Sequence, residues 1–176
     1  MEKITIRKMK IEKDSKEIIL LRNSIWKVAY AHIFSQGVFD ERDTQVDEAI
    51  KIFKSNYKKA IVYVAVLDDK IVGYCIGETT FRDEKMQKLG LAEINSLYIR
   101  PDFQGKGLGQ RLFKKVADAL KAQGNNKAGL DVFKDNLKAR KFYEKIGGTL
   151  IDYEKEGKYP DKSGKPALLV HYVFDL

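Results

Sequence analysis

Three glycines stand at alternate positions, Gly105, Gly107 and Gly109, where a strand-like run gives way to an amphipathic helix. On one side AEINSLYI (92–99) has the apolar and β-branched character of a strand, ended by Pro101. On the other, Leu108, Leu112, Val116 and Leu120 recur four residues apart with Phe113 and Ala119 beside them, and Gly124 stops the helix. A strand, a glycine loop and a helix in this order restrict the fold to a mixed α/β arrangement. They restrict the chemistry as well. Glycine lets backbone amides approach an anion with no Cβ in between. The start of the helix adds unpaired N–H groups and a partial positive charge. The combination is a phosphate site.

Two familiar phosphate loops do not fit. GxxxxGK[ST] fails because Gln110 and Arg111 follow Gly109, and GxGxxG fails because Gln110 lies three residues after Gly107. The pattern that remains is Gln-x-x-Gly-x-Gly, met by Gln104, Gly107 and Gly109.

The rest of the chain supports one mixed α/β domain over residues 1–176. KITIRKM (3–9) alternates as a short strand. Asp14-Ser15 is a candidate cap for a helix running to about Tyr30 through Ile18, Leu21, Ile25, Val28 and Ala29. Residues 31–43 read as a loop. Thr44 with Asp47 resembles a capping box ahead of a helix through Ile50 and Phe53. AIVYVAVL (60–67) and IVGYCIGETT (71–80) form a hairpin about Asp68-Asp69-Lys70. RDEKMQK (82–88) is a charged connection. AGLDVF (128–133) is a strand, Asp135-Asn136 cap a helix with Ala139, Phe142, Tyr143 and Ile146 inward, and Gly147-Gly148 end it. TLIDYE (149–154) and ALLVHYVF (167–174) are strands around a loop at 157–166.

Composition narrows the function. One cysteine, Cys75, allows no internal disulfide. With only His32 and His171 beside it, no structural zinc site is expected. The segment MEKITIRKMKIEKD is charged from its second residue, and no apolar run is long enough to span a membrane, so a cytoplasmic compartment is expected. The net charge is +8, and residues 100–165 alone carry +7. Such a bias suits a nucleic acid, a membrane or a polyphosphate cofactor, and equally a solvated lysine-rich surface. Nucleic acid is disfavoured because the basic residues are not interleaved with aromatics along a stripe, and it leaves the glycine loop without a role.

The stretch LYIRPDFQGKGLGQRLF (97–113) resembles the acetyl-CoA-binding motif of the GNAT superfamily of N-acetyltransferases. DNLKARKFYEKIG (135–147), about thirty residues on, resembles the same family's second cofactor segment, N-x-x-A-x-x-F-Y-x-x-x-G. WKVAYAHIF (26–34) is similar to the first-helix region of many of its bacterial members. Gly148 departs from the pattern, since an aromatic residue usually follows Gly147 in the family.

The resemblance implies a largely antiparallel sheet with a splayed parallel strand pair, flanked by about four helices. It implies acetyl transfer from acetyl-CoA to a primary amine by direct attack, with a non-catalytic acyl-CoA-sensing module as the alternative. A homodimer would be in keeping with it. The backbone of Leu97, Tyr98 and Ile99 would pair with the pantetheine arm, and an amide near Leu97 would stabilise the oxyanion. Gln104, Gly105, Lys106, Gly107, Leu108 and Gly109 would hold the pyrophosphate, with Lys106 adding charge. Asn136 would touch the pantetheine or cap its helix. Tyr143 would protonate the leaving sulfur, or else serve as a core aromatic. Glu93, the only acid in LGLAEINSLYI, would take the ammonium proton, or else be a charge paired on a strand face. Trp26 and Tyr30, with His32 and Phe34, would line the acceptor site, as would Glu78 and Asn95. Cys75 reads as a buried thiol and His171 as structural.

Overall fold

The computed structural model describes residues 4–176. Its elements are β1 (Thr5–Lys8), α1 (Ile11–Ala29), α2 (Gln36–Thr44), α3 (Val46–Asn56), β2 (Ile61–Leu67), β3 (Lys70–Glu78), α4 (Glu84–Lys88) and β4 (Ala92–Ile99). A single 3-10 turn, Pro101–Phe103, is followed by α5 (Leu108–Ala122), β5 (Lys127–Phe133), α6 (Leu137–Lys145), β6 (Thr149–Pro160) and β7 (Pro166–Asp175). Of the strand expected at 3–9, residue 3 lies outside the described residues.

The strands make one sheet in the order β1-β2-β3-β4-β5-β7-β6. Every neighbouring pair is antiparallel except β4 with β5. The β2–β3 turn places Asp68 and Asp69 at φ 47° and 60°, the left-handed geometry of a tight hairpin. One face of the sheet is covered by α5, whose Leu108, Leu112, Phe113, Val116 and Leu120 are buried, and by α6 through Ala139, Phe142, Tyr143 and Ile146. On the other face α1 and α3 bury Ile18, Ile19, Leu21, Ile25, Phe53 and Tyr57 against β2 and β3. Val28, expected on the inner face of α1, is 66% exposed.

Several local expectations are corrected. Helix α1 starts at Ile11, and Asp14 lies within its first turn rather than at its cap. Asp14 is buried and accepts from both Arg7 guanidinium nitrogens, at 2.6 and 3.0 Å, and from the Lys10 N–H at 2.7 Å. Residues 36–44 form a helix, not a loop, held by buried Val38 and Phe39. Gln45, not Thr44, occupies the cap position of α3, and the Thr44 hydroxyl donates back to the Glu41 carbonyl. The charged connection contains α4, capped by the Asp83 carboxylate accepting from the N–H groups of Lys85 and Met86. The described residues thus hold six α-helices instead of about four. Strand β6 runs on to Pro160, taking in residues expected to be loop, and Pro160 pairs with Pro166.

The departure at Gly148 has a packing reason. A Cβ there would lie 2.6 Å from the Phe174 ring and 2.9 Å from the Tyr143 carbonyl oxygen. Phe174 of β7, rather than the next residue of the chain, supplies the aromatic ring at this corner. We expect Gly148→Ala to cost about 1–3 kcal/mol of stability, since the contact on one side is backbone and cannot give way. Urea denaturation followed by circular dichroism checks this, and a change below about 0.5 kcal/mol, the scatter of neutral surface substitutions, would contradict it.

Candidate active site

Strands β4 and β5 share two register pairs, Ala92 with Ala128 and Glu93 with Gly129, and then diverge. Just beyond, the β3–β4 register passes from Gly77 opposite Ile94 to Ile76 opposite Ser96, so Asn95 is the extra residue of a β-bulge. The splay opens a cavity of about 750 Å³ whose walls include Asn95 to Ile99 of β4, Asp131 to Phe133 of β5, the glycine loop and α6. The edge of β4 that faces it beyond Glu93 has no strand partner. At one end of the cavity the His32 ring Nε2 lies 3.0 Å from the Asp135 carbonyl oxygen, tying the segment after α1 to the loop before α6.

The glycine loop borders this cavity. Gly105 and Gly107 have φ of 74° and 75°, a left-handed backbone that side chains rarely adopt, and the space a Cβ would fill is open at both. Gly107 is the cap residue of α5 and brings no side chain to its N–H groups. The backbone N–H groups of Gly105 to Gln110 have no acceptor among the described residues. Gly109 is small for a different reason, because the Phe142 ring packs over it. Gln104 braces the loop. Its side-chain amide donates to the Ile99 carbonyl at 2.9 Å, and its oxygen accepts from Lys138 of α6 at 2.6 Å. The Ile99 carbonyl is therefore engaged within the protein. Lys106 points outward, its Nζ on the Asp102 carbonyl. Lys138 and Lys145 are the lysines on the cavity wall.

Helix α6 is fixed at both ends. Asn136 caps it, its side-chain oxygen accepting from the Ala139 N–H at 3.2 Å. Arg140 donates to the Lys134 carbonyl and to the Tyr172 hydroxyl, which donates in turn to Glu144. So held, the helix presents Tyr143 to the cavity. Tyr143 is 9% exposed, and its hydroxyl hydrogen-bonds to no described residue. Burial, with Cys75 and Tyr98 nearby, pushes the phenol well above its usual range, so it holds its proton at neutral pH. Cys75 is fully buried, and burial raises its thiol as well.

Glu93 is 6% exposed and is not on the cavity wall. Its carboxylate accepts from the Asn95 side-chain amide at 3.2 Å and from the Arg82 N–H at 3.1 Å. Burial pushes its carboxyl above the ordinary range, and the Arg82 charge and these donors offset only part of the rise. Asn95 does line the cavity, and its oxygen accepts from the hydroxyls of Tyr57 at 2.8 Å and Ser96 at 3.0 Å. Glu78, opposite Glu93 in register, is held by Arg82 at 2.8 Å.

Of the four rings expected at the acceptor site, Tyr30 and His32 line the cavity and Trp26 and Phe34 do not. Trp26 is buried among Tyr30, Phe34, Phe133 and Tyr159, and its indole N–H donates to the Tyr98 hydroxyl at 2.9 Å. The structure thus brings Leu97, Tyr98, Ile99, Gln104, Gly105, Gly107, Leu108, Gly109, Asn136, Tyr143, Tyr30, His32 and Asn95 to one cavity, and leaves Lys106, Glu93, Glu78, Trp26 and Phe34 off its wall. It adds Asp131, which sequence reasoning missed. This carboxylate lies 2.6 Å from both Lys155 and the ring Nδ1 of buried His171, its register partner on β7. A lone acid inside AGLDVF was its only signal. Among the described residues no helix is long and apolar enough to cross a membrane, and no three His, Cys, Asp or Glu side chains group to hold a metal ion.

Comparison with known proteins places the chain in a family. Residues 24–148 match the Acetyltransferase (GNAT) family. An uncharacterised N-acetyltransferase of Archaeoglobus fulgidus is 34% identical over 83 residues, 47% of this chain and 55% of that protein, so the chain spans about half the length of that relative. The spermidine N(1)-acetyltransferase of Thermoplasma acidophilum is 27% identical over 154 residues, 85% of this chain and 90% of the relative. The crystal structure of the PaiA N-acetyltransferase of the same organism, in complex with coenzyme A, shares the fold with a TM-score of 0.68 at 20% identity, covering 98% of this chain and 99% of that one. With residues 24–148, well over half of its length, matched to the family, the chain belongs to the GNAT family of acetyltransferases.

Proposed function

We propose that the protein is an N-acetyltransferase that takes acetyl-CoA as co-substrate and transfers the acetyl group to a primary amine in a ternary complex. The observation that carries this reading is convergence. A row of unpaired N–H groups from Gly105 to Gln110, an unpaired edge of β4 and Tyr143 all border one cavity. A diphosphate fits the loop, because the open space beside Gly105 and Gly107 is where a Cβ would otherwise stand. Lys138 and Lys145 add positive charge along the same wall. The free edge of β4 at Leu97 and Tyr98 offers the main-chain pairing that an extended amide arm requires.

Acetyl-CoA bound there supplies an activated thioester; the remaining chemistry belongs to the protein. A departing thiolate needs a proton, and Tyr143 holds one at neutral pH with no protein partner competing for it. The acceptor amine must lose a proton before it can attack, since an alkylammonium pKa lies near ~10.4. Glu93 stands behind Asn95, with the Arg82 guanidinium 3.9 Å from its carboxylate, and we assign it the role of base acting through a water at the Asn95 side chain. A carboxyl held above its ordinary range is a better proton acceptor than a free one. The Thermoplasma relative is named for spermidine, and the primary amine is the part of that chemistry carried over here.

Tyr143→Phe keeps the ring and its packing while removing the proton donor. Thiol release should fall about tenfold to a hundredfold with acetyl-CoA affinity nearly unchanged; the low end of general-acid effects applies because a thiolate of pKa near ~8.5 leaves moderately well unaided. Turnover within about twofold of wild type, measured where chemistry limits the rate, would leave Tyr143 a packing aromatic. No thiol release with any amine would instead favour a sensing module.

Glu93→Gln carries a pH signature. The base is needed while the acceptor is protonated, so the loss should be about tenfold to a hundredfold near neutrality and should shrink as pH rises toward the amine's own pKa. A pH–rate profile parallel to wild type would reject the assignment.

A further inference from the structure

On the sheet face opposite α5 and α6, a second cleft of about 280 Å³ lies between α1, α2, α3 and the far end of β6. Its walls carry Arg22, Arg42, Arg82 and Lys158. Arg82 is paired with Glu78 at 2.8 Å. Arg22, Arg42 and Lys158 form no ion pair within 4 Å among the described residues, although the chain holds 25 carboxylates. The acid on this wall, Glu48, is 64% exposed and lies 3.7 Å from Lys51. The Nε atoms of both Arg22 and Arg42 are buried with no hydrogen-bond partner. A buried guanidinium N–H without an acceptor is costly, and two like charges at one cleft add to the cost. Burial, and then the neighbouring Arg22 charge, lower the Arg42 pKa, although the guanidinium stays charged at neutral pH. Arg42 is held there by its stacking 3.7 Å over the Trp26 ring and by a 3.3 Å bond to the Asn23 side chain.

Two hydrogen bonds join the cleft to the wall of the main cavity. Tyr57 lines the cleft and donates to Asn95 on the cavity side; Trp26 under Arg42 donates to Tyr98, another cavity residue. It also lies on the face away from the glycine loop and α6, the side that the acetyl-transfer reading leaves for the acceptor. We infer that the cleft formed by Arg22, Arg42 and Lys158 binds an anionic group, a carboxylate or phosphate, carried by the acceptor amine itself. The acceptor is then an amino acid-like or aminoalkyl phosphate-like molecule, with its amine at the splay and its anion between α1 and α2. A polyamine such as spermidine would meet unpaired cations at this end. This inference rests on the acetyl-transfer reading and specifies its substrate class.

The test is a thiol-release panel with saturating acetyl-CoA. It compares ω-amino acids and ω-aminoalkyl phosphates of increasing length with the matching amino alcohols and with spermidine. We expect kcat/KM for one of the anionic series to exceed that of its amino alcohol at least about tenfold, the worth of a charge-assisted hydrogen bond. Carboxylate and phosphate arms identify which anion. Arg22→Gln and Lys158→Gln, checked for fold by circular dichroism, should each narrow that ratio severalfold, mostly through KM. Equal or better turnover of amino alcohols or spermidine, with a ratio the variants do not move, would overturn the cleft assignment and leave acetyl transfer standing. If no amine is turned over, acetyl transfer fails, and calorimetry with the same compounds still decides the cleft. Binding of an anionic amine that is lost in Arg22→Gln supports it, and no preference over the amino alcohol refutes it.

Discussion

Strands β4 and β5 run side by side for two residue pairs and then part, and the chemistry of the molecule is arranged around that parting. A strand edge left inside a fold needs partners for its N–H and C=O groups. Here the bulge at Asn95 turns the chain away from β5, the Trp26 indole holds Tyr98 from one face, and Gln104 takes the Ile99 carbonyl at the far end. What remains unpaired faces the cavity. The rest of the sheet is closed by antiparallel neighbours, so the opening is confined to the one parallel junction.

The two walls of that opening differ electrically. Toward α5 and α6 the wall is backbone N–H and lysine, suited to a polyphosphate. On the opposite face of the sheet it carries half-buried Asp131, with buried Glu93 standing behind it, each already engaged: Glu93 by N–H donors and Asp131 by Lys155 and His171. His171, stacked on Tyr153, serves Asp131 rather than the cavity. The Asp131–Lys155–Asp83 chain also links the cavity wall to the cap of α4, joining β5, β6 and α4.

Much of this was legible in the sequence where the signal is local. The i, i+4 spacing in α5, the alternating glycines before it, the Asn136 cap and the inward face of α6 all lie within one or two turns of chain. What was not legible depends on contacts between distant segments. Asp14 looked like a cap because a short acid before an apolar run usually is one, but Arg7 of the neighbouring strand reaches it first. Helix α2 was hidden by Gly37 and polar residues, since its stability comes from Val38 and Phe39 meeting the aromatic cluster. Gly157 made the end of β6 look like a loop; in the fold a Cβ there would stand 2.8 Å from the Ala167 carbonyl oxygen, so the strand itself requires glycine. Arg22 and Arg42 come together only because α1 and α2 fold back on one another.

In the proposed reaction the glycine loop and Tyr143 serve the two ends of one bound molecule. A crystal structure with coenzyme A tests this most directly. The diphosphate should lie on the N–H groups of Gly105 to Gln110, and the thiol sulfur within about 4 Å of the Tyr143 hydroxyl. A diphosphate held elsewhere, or a sulfur on the far side of β4 from Tyr143, would contradict it.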